Sequence, residues 1–294
     1  MARRRSTLPP PKTNRLSEAP SASPDAQLGP LLRDSFSALS QLVRPEDLSV
    51  VFQPIVLVET AETYAYEALV RCQLSEFSPP PVLFERALAL GCVGRLGRMI
   101  REIAVPLCAD RPLFLNVHPQ ELNESWLIRP DDPILTHEHD IFLEITESVP
   151  LTHFDRCLGV IQELRARGGI HLVVDDLGAG YSNLKTIADL EPRFVKLDRG
   201  LIAGIDQRPR QQQLVAGVVR MCEDLHADVV AEGIETVGEY EAVRHAGATY
   251  AQGFLFAHPG FPLPKVTWPP LPSVKNVSAA AHAPTLLLRH TPNN

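Results

Sequence analysis

Carboxylates and amides recur at the ends of short apolar runs along this chain. Glu67 stands in YEALVR, Asn116 in FLNVHP, and Glu144 with Glu147 in IFLEITES. Asp175 and Asp176 stand in HLVVDDLGAGYSNL, Lys196 and Asp198 in FVKLD, Glu232 and Glu235 in VVAEGIE, and Gln252 in YAQGFLF. One acid at one strand end is more often a helix cap or an ion-pair partner than a ligand. Six consecutive runs, each bringing a carboxylate or an amide to one rim, are a different matter. Many acids in one pocket repel, and burying them together is costly unless cations are present. An all-oxygen set of Glu67, Asn116, Glu144, Asp175 and Asp176 is what Mg²⁺ or Mn²⁺ prefers. Adjacent aspartates allow one carboxylate to bridge two ions while the other holds the second. Two such ions roughly 3.5–4 Å apart are a common arrangement for phosphoester hydrolysis. Sulfur and imidazole are absent from the set, which disfavours structural zinc.

Lys196 and Asp198 lie two apart on a strand, which predicts that both face the same side. A lysine among anions keeps its charge. It either orients an attacking water, or accepts its proton, or is simply ion-paired to Asp198 or a neighbouring acid. Glu67, Leu69 and Arg71 share one face of their strand, which would bring a phosphate-pairing guanidinium near the cations, or leave Arg71 in a rim salt bridge. The stretch Leu177 to Asn183 reads as a glycine-containing loop leading into a helix; it lacks the Lys-Ser/Thr of a phosphate-binding loop.

These residues need a scaffold that aligns strand ends. Eight runs read as strands: Leu48–Leu57, Thr63–Arg71, Leu113–Val117, Ile141–Thr146, His171–Asp175, Phe194–Leu197, Asp228–Ala231 and Tyr250–Phe254. Helical periodicity fills most of the gaps, over Pro81–Cys108 (one or two helices), Thr152–Gly168, Ser182–Asp189, Gln207–Leu225 and Val237–Ala246. Alternating strands and helices imply crossovers and a mainly parallel sheet, here a TIM-like (β/α)₈ barrel. One connection departs from the pattern. Only Val58 to Glu62 separates the first two strands, whereas a parallel crossover needs a dozen or more residues. The first strand is therefore predicted to run antiparallel to the other seven.

The barrel occupies residues 31–264, between a Pro/Ser-rich basic tail (1–30) and a Pro-rich tail (265–294), both expected to be disordered. The tails carry +3 each against a total of −7, so the body holds −13. An acidic body with basic ends is a poor binder of DNA or RNA polymers. Five widely spaced cysteines, with no C-x-x-C, argue for a reducing, cytoplasmic compartment rather than a disulfide framework. No apolar run is long enough for a transmembrane helix, and the basic start has no apolar segment behind it. Neither tail is long enough to fold into a sensor or synthase domain.

The ordered set FQPIV, YEALVR, FLNV, LEITES, VVDDLGAGYSNL, FVKLDR, VVAEGIET and YAQGFLF, spanning about residues 45 to 260, resembles the EAL-domain family of cyclic di-GMP phosphodiesterases. The family fold is a barrel with its first strand antiparallel. The resemblance implies that Glu67, Asn116, Glu144 and Asp175 hold one metal, Asp175 and Asp176 being shared with the second, so that two Mg²⁺ or Mn²⁺ ions are bound. It implies that Lys196 positions or deprotonates the nucleophilic water and that Glu232 is a further acid needed for activity. Gln53 and Arg71 match contacts to the dinucleotide, and Glu235 matches a guanine contact. Leu69, Asp198 and Gln252 fall in the same substrate-binding set. Glu147 matches an acid that braces the loop after strand five, and that loop is associated in the family with homodimerisation. The implied reaction opens cyclic di-GMP to linear pGpG.

Several positions depart from the family pattern. Cys72 replaces a tryptophan after the arginine, and the segment Gln73 to Val82 is shorter and carries Pro79-Pro80-Pro81. Leu177 and Ala179 replace phenylalanine and threonine, and His118-Pro119 stand soon after Asn116 where leucine and serine are common. None removes a ligand or the lysine. Two other readings compete: a non-hydrolysing cyclic di-GMP receptor that signals through its tails, and a barrel lyase or isomerase using Mg²⁺ with Lys196 as base. Removing residues 1–30 is expected to leave the melting temperature nearly unchanged; a large drop in a thermal melt would show that the tail packs on the barrel.

Overall fold

The computed structural model describes residues 37–123, 127–146, 154–179 and 184–267. Glu147, residues 180–183 of the loop after strand five, and nearly all of both tails lie outside the described residues. Eight strands close into one barrel in sequence order. They are β1 (Leu48–Leu57), β2 (Thr63–Cys72), β3 (Leu113–Asn116), β4 (Ile141–Thr146), β5 (Ile170–Leu177), β6 (Phe194–Leu197), β7 (Asp228–Ala231) and β8 (Tyr250–Ala251). The antiparallel first strand is present: β1 pairs antiparallel with both β2 and β8, and every other neighbouring pair is parallel.

The helices are α1 (residues 37–42), α2 (Pro80–Ala89), α3 (Val93–Leu107), α4 (Phe154–Ala166), α5 (Leu184–Leu190), α6 (Arg199–Ile202), α7 (Pro209–Asp224) and α8 (Val237–His245). Pro81–Cys108 thus resolves into two helices, divided at Gly91, whose φ of +65° suits a residue without a side chain. α7 begins at Pro209, later than Gln207, because proline's fixed φ favours the first helical position. α8 is started by Thr236 and Glu239, whose side chains cap each other's backbone amides. The end of the described chain touches the barrel at residue 264 and beyond it: Tyr66 Oη donates to the Pro264 carbonyl, and the Thr267 amide donates to that of Phe256.

The barrel interior is layered. Ile55, Ala65, Phe114, Phe142, Val173, Phe194, Val230 and Tyr250, one from each strand, form a closed apolar plug. Phe114 and Phe142 stack at 4.4 Å between ring centroids, and Phe194 meets both edge-on. Two residues from these, earlier on the reversed β1 and later on or just past the other seven strands, come Gln53, Glu67, Asn116, Glu144, Asp175, Lys196, Glu232 and Gln252. The second core, between strands and helices, is mainly aliphatic.

Four strands depart from their sequence reading, β2 and β3 by one residue each at their ends. β5 continues to Leu177 rather than stopping at Asp175. β8 ends at Ala251 instead of Phe254, because the chain turns to bond the loop after β7: Ile234 donates to the Gln252 carbonyl, and Leu255 donates back to Ile234. That turn requires a glycine, since a Cβ on Gly253 would overlap the backbone of Ile234. Gly253→Ala should therefore cost about 1–3 kcal/mol. At roughly 2–4 °C per kcal/mol for a domain of this size, a thermal melt would register it, and an unchanged melting temperature would refute the close approach.

Candidate active site

The polar layer is a network centred on one ammonium group. Lys196 Nζ lies 2.6 Å from Glu144 Oε1 and 2.6 Å from Glu232 Oε1. It is also 3.3 Å from Asp175 Oδ1 and 3.5 Å from Glu67 Oε2. The amides knit the acids together. Asn116 Nδ2 donates to Glu67 Oε1 and to Glu144 Oε2, both at 3.1 Å. Gln252 Nε2 donates to Glu67 Oε2 at 2.7 Å and to Gln53 Oε1 at 3.1 Å, and Gln53 Nε2 donates to the Ala257 carbonyl. Strand register explains these meetings: Gln53 is paired with Glu67 across β1 and β2, and Asn116 with Glu144 across β3 and β4.

Adjacent residues on a strand point to opposite faces, so Asp175 and Asp176 need a special backbone to share a cavity. β5 supplies it. Val174 pairs with Val195 but Leu177 with Leu197, so β5 carries one extra residue there. Asp176 takes a left-handed φ of +60°, and its amide donates to Asp175 Oδ1 at 2.9 Å. Oxygen atoms of Asp175, Asp176 and Glu232 come within 4.8 Å of one another.

Burial and crowding shift the proton affinities. Burial raises Glu144 well above the ordinary carboxylate range, and the neighbouring Glu67 adds to this against the opposing Lys196. Burial pushes Glu232 up to about 8, with Lys196 opposing and Asp175 adding. Asp176 rises to about 6, through burial and then Asp175. Glu67 moves the other way: burial acts to raise it, but Lys196, Gln252 and Asn116 together favour its anion. Burial would strip Lys196 of its proton, yet Asp175, Glu144, Glu232 and Glu67 hold it well above its ordinary value.

Two cavities meet at this layer. One, of about 290 Å³, is lined by Asp175, Asp176, Lys196, Glu232 and Gln252, with Gln53, Asp198 and Glu235 on its wall. The other, of about 330 Å³, is lined by Arg71, Asn116, His118, Pro80, Pro81 and Phe84. Glu67 and Leu69 border both. The shortened segment after β2 thus forms a wall of the second cavity.

One expected placement takes a different form, and two further residues have partners within the chain. Asp198 does not share a strand face with Lys196, because β6 ends at Leu197; Asp198 instead caps α6, accepting the Gly200 amide at 2.7 Å. Arg71 makes no ion pair among the described residues; its Nη1 donates to the Val70 carbonyl beside it. Glu235 is paired with Arg199 at 2.8 Å on the rim. One feature escaped the strand-end reading altogether: a buried network in which Arg101 bonds Glu121 at 2.7 Å and Asp132 at 2.9 Å. An arginine among Leu96, Gly97, Ile100, Ala104 and Val105 on the buried face of α3 was the available signal.

The donor set fits divalent cations. Every candidate ligand offers oxygen, and five carboxylates stand against a single ammonium. Gln252 Oε1 is buried without a hydrogen-bond donor among the described residues. Because their pKa values are raised on folding, Glu232 and Asp176 bind more protons folded than unfolded. Without metal, stability should then fall as pH rises, through about 4–6 for Asp176 and 4.5–8 for Glu232. Melting temperatures from pH 5 to 8 are expected to decline in chelator, and added Mn²⁺ should raise them more at pH 8 than at pH 5. An equal metal effect at both would refute the placing of these two acids beside a cation.

A model of the EAL domain family matches residues 37–259. The cyclic di-GMP phosphodiesterase PdeR of Escherichia coli (strain K12) is 30% identical over 237 residues, covering 75% of this chain and 35% of that protein. Two structures of Klebsiella pneumoniae BlrP1 have similar folds. Its calcium/cyclic di-GMP complex at pH 8.0 is 30% identical with a TM-score of 0.68, over 76% of this chain and 59% of that one. The manganese/cyclic di-GMP complex at pH 6 is 31% identical with a TM-score of 0.63, over 75% and 57%. The chain spans about a third of the length of the curated relatives it matches. Among the described residues no helix is long and apolar enough to cross a membrane.

Proposed function

The chain belongs to the EAL domain family, and from that premise we propose that it hydrolyses cyclic di-GMP to linear pGpG with two divalent cations, Mg²⁺ or Mn²⁺. The observation that carries this reading is the intact polar layer of Glu67, Asn116, Glu144, Asp175, Asp176, Lys196 and Glu232 at the barrel mouth. Glu67, Asn116, Glu144 and Asp175 would hold one cation, and Asp175, Asp176 and Glu232 face the place of a second. Bound there, the ions would neutralise phosphate charge and lower the pKa of a water.

The protein's own groups do the rest. Lys196 keeps its proton among four carboxylates, so its ammonium orients the attacking water. Glu232, 2.6 Å from that ammonium, is placed to accept the water's proton. Attack in line breaks the P–O3′ bond of one phosphodiester, and the released 3′ oxygen takes up a proton. Two cavities that meet at Glu67 and Leu69 suit a ligand with two similar lobes, and Arg71 supplies a guanidinium beside their junction. The cytoplasmic placement is supported by the five buried cysteines, none of them in a disulfide.

Purified protein incubated with cyclic di-GMP and Mg²⁺ or Mn²⁺ should yield pGpG on chromatography, and chelation should stop it. Glu67→Gln keeps the side-chain shape and removes one ligand charge. Turnover should fall more than about 100-fold, beyond the loss typical of outer partners of a metal site. Near-normal turnover in this variant would overturn the ligand assignment. Binding of cyclic di-GMP without any product would make the chain a receptor.

A further inference from the structure

The 330 Å³ cavity contains a histidine whose hydrogen is placed by the backbone. His118 Nδ1 accepts the Gln120 amide at 3.2 Å. The neutral ring therefore carries its hydrogen on Nε2. The His118 amide donates to Glu121 Oε1 at 3.1 Å, and Glu121 Oε2 accepts from Arg101 Nη1 at 2.7 Å. Arg101 also holds Asp132 through Nε and Nη2, and Asp132 accepts the Ile134 amide. Arg101, Glu121 and Asp132 are all buried. Gly97 of α3 lies so close to the Glu121 carboxylate that a Cβ there would overlap it. The loop after β3 is thus pinned from behind, and the imidazole is presented at a fixed place on the cavity wall.

The chemistry of that wall is specific. Among the described residues nothing accepts from His118 Nε2, and Arg71 donates only to the Val70 carbonyl. Beside these unused N–H donors lie the rings of Pro80, Pro81 and Phe84. Flat apolar walls with donors along one side suit a heteroaromatic ring that presents acceptors on its edge. Guanine presents O6 and N7 there, whereas adenine replaces O6 with an amino donor.

Resting on the cyclic di-GMP reading, we infer that His118 is a specificity-determining residue: its Nε2–H donates to O6 of one guanine, the position where adenine carries its amino group, and the Arg101–Glu121 pair sets its position. An adenine in this lobe would set N–H against N–H, and an unpaired buried polar group is penalised heavily.

The test compares wild type, His118→Phe and His118→Gln in steady-state turnover of cyclic di-GMP and its adenine counterpart, with Mn²⁺, each variant first checked by thermal melt. His118→Phe should raise KM for cyclic di-GMP about tenfold, the usual size of one lost hydrogen bond, with kcat changed less than about twofold. Its preference for the guanine dinucleotide should shrink, and His118→Gln, which retains an N–H donor, should recover most of it. Unchanged KM values, or a loss confined to kcat, would overturn the inference. If wild type shows no turnover, the functional reading fails separately, and His118 is then judged by calorimetric titration with cyclic di-GMP. About tenfold weaker binding by His118→Phe sustains the inference, and equal Kd values overturn it.

Discussion

One ammonium ion held among four carboxylates is the constraint around which this barrel is organised. Glu67, Glu144, Asp175 and Glu232 each bring an oxygen within 3.5 Å of Lys196 Nζ, at the mouth of an otherwise apolar interior. Such a cluster is expensive to bury, because each charge loses its hydration. It is tolerated because every strand places its polar residue one step above a sealed apolar layer. The plug of Phe114, Phe142, Phe194 and Tyr250 excludes water below, and Asn116 and Gln252 occupy carboxylate lone pairs from the side. The charge deficit that remains is what a divalent cation would relieve.

Local irregularities serve the same arrangement. Reversing β1 brings Gln53 against Glu67 with the amide facing Gln252. The extra residue in β5 turns a strand's alternating pattern into two carboxylates on one wall. Gly253 lets the chain after β8 pack against Ile234, which anchors the loop carrying Glu232 and Glu235. A smooth eight-stranded barrel would have none of these, and each sits at the mouth rather than at the base. The second cavity is shaped from outside the barrel, by α2 and by the loop that the buried Arg101 holds.

Much of this was legible in the chain itself. Short apolar runs with a polar residue at a fixed place name the strands, and the five residues between the first two dictate an antiparallel pair. The residue types of the site, and the oxygen ligation they offer, follow from the strand ends, since period two indicates which side chains share a face wherever a strand runs regularly. Four strands match their expected bounds, because β-branched and aromatic runs stop where turn residues begin. What only the tertiary structure decided concerns partners. Lys196 is two residues from Asp198, yet its four carboxylate contacts come from β2, β4, β5 and the end of β7. Asp198 is taken by the Gly200 amide, Asp176 is turned inward by a bulge, and Arg101 finds Glu121 and Asp132 far along the chain. Sequence spacing sets the direction of a side chain along its own strand or helix. Which group it meets depends on barrel closure and register, where energies from distant segments are summed at once.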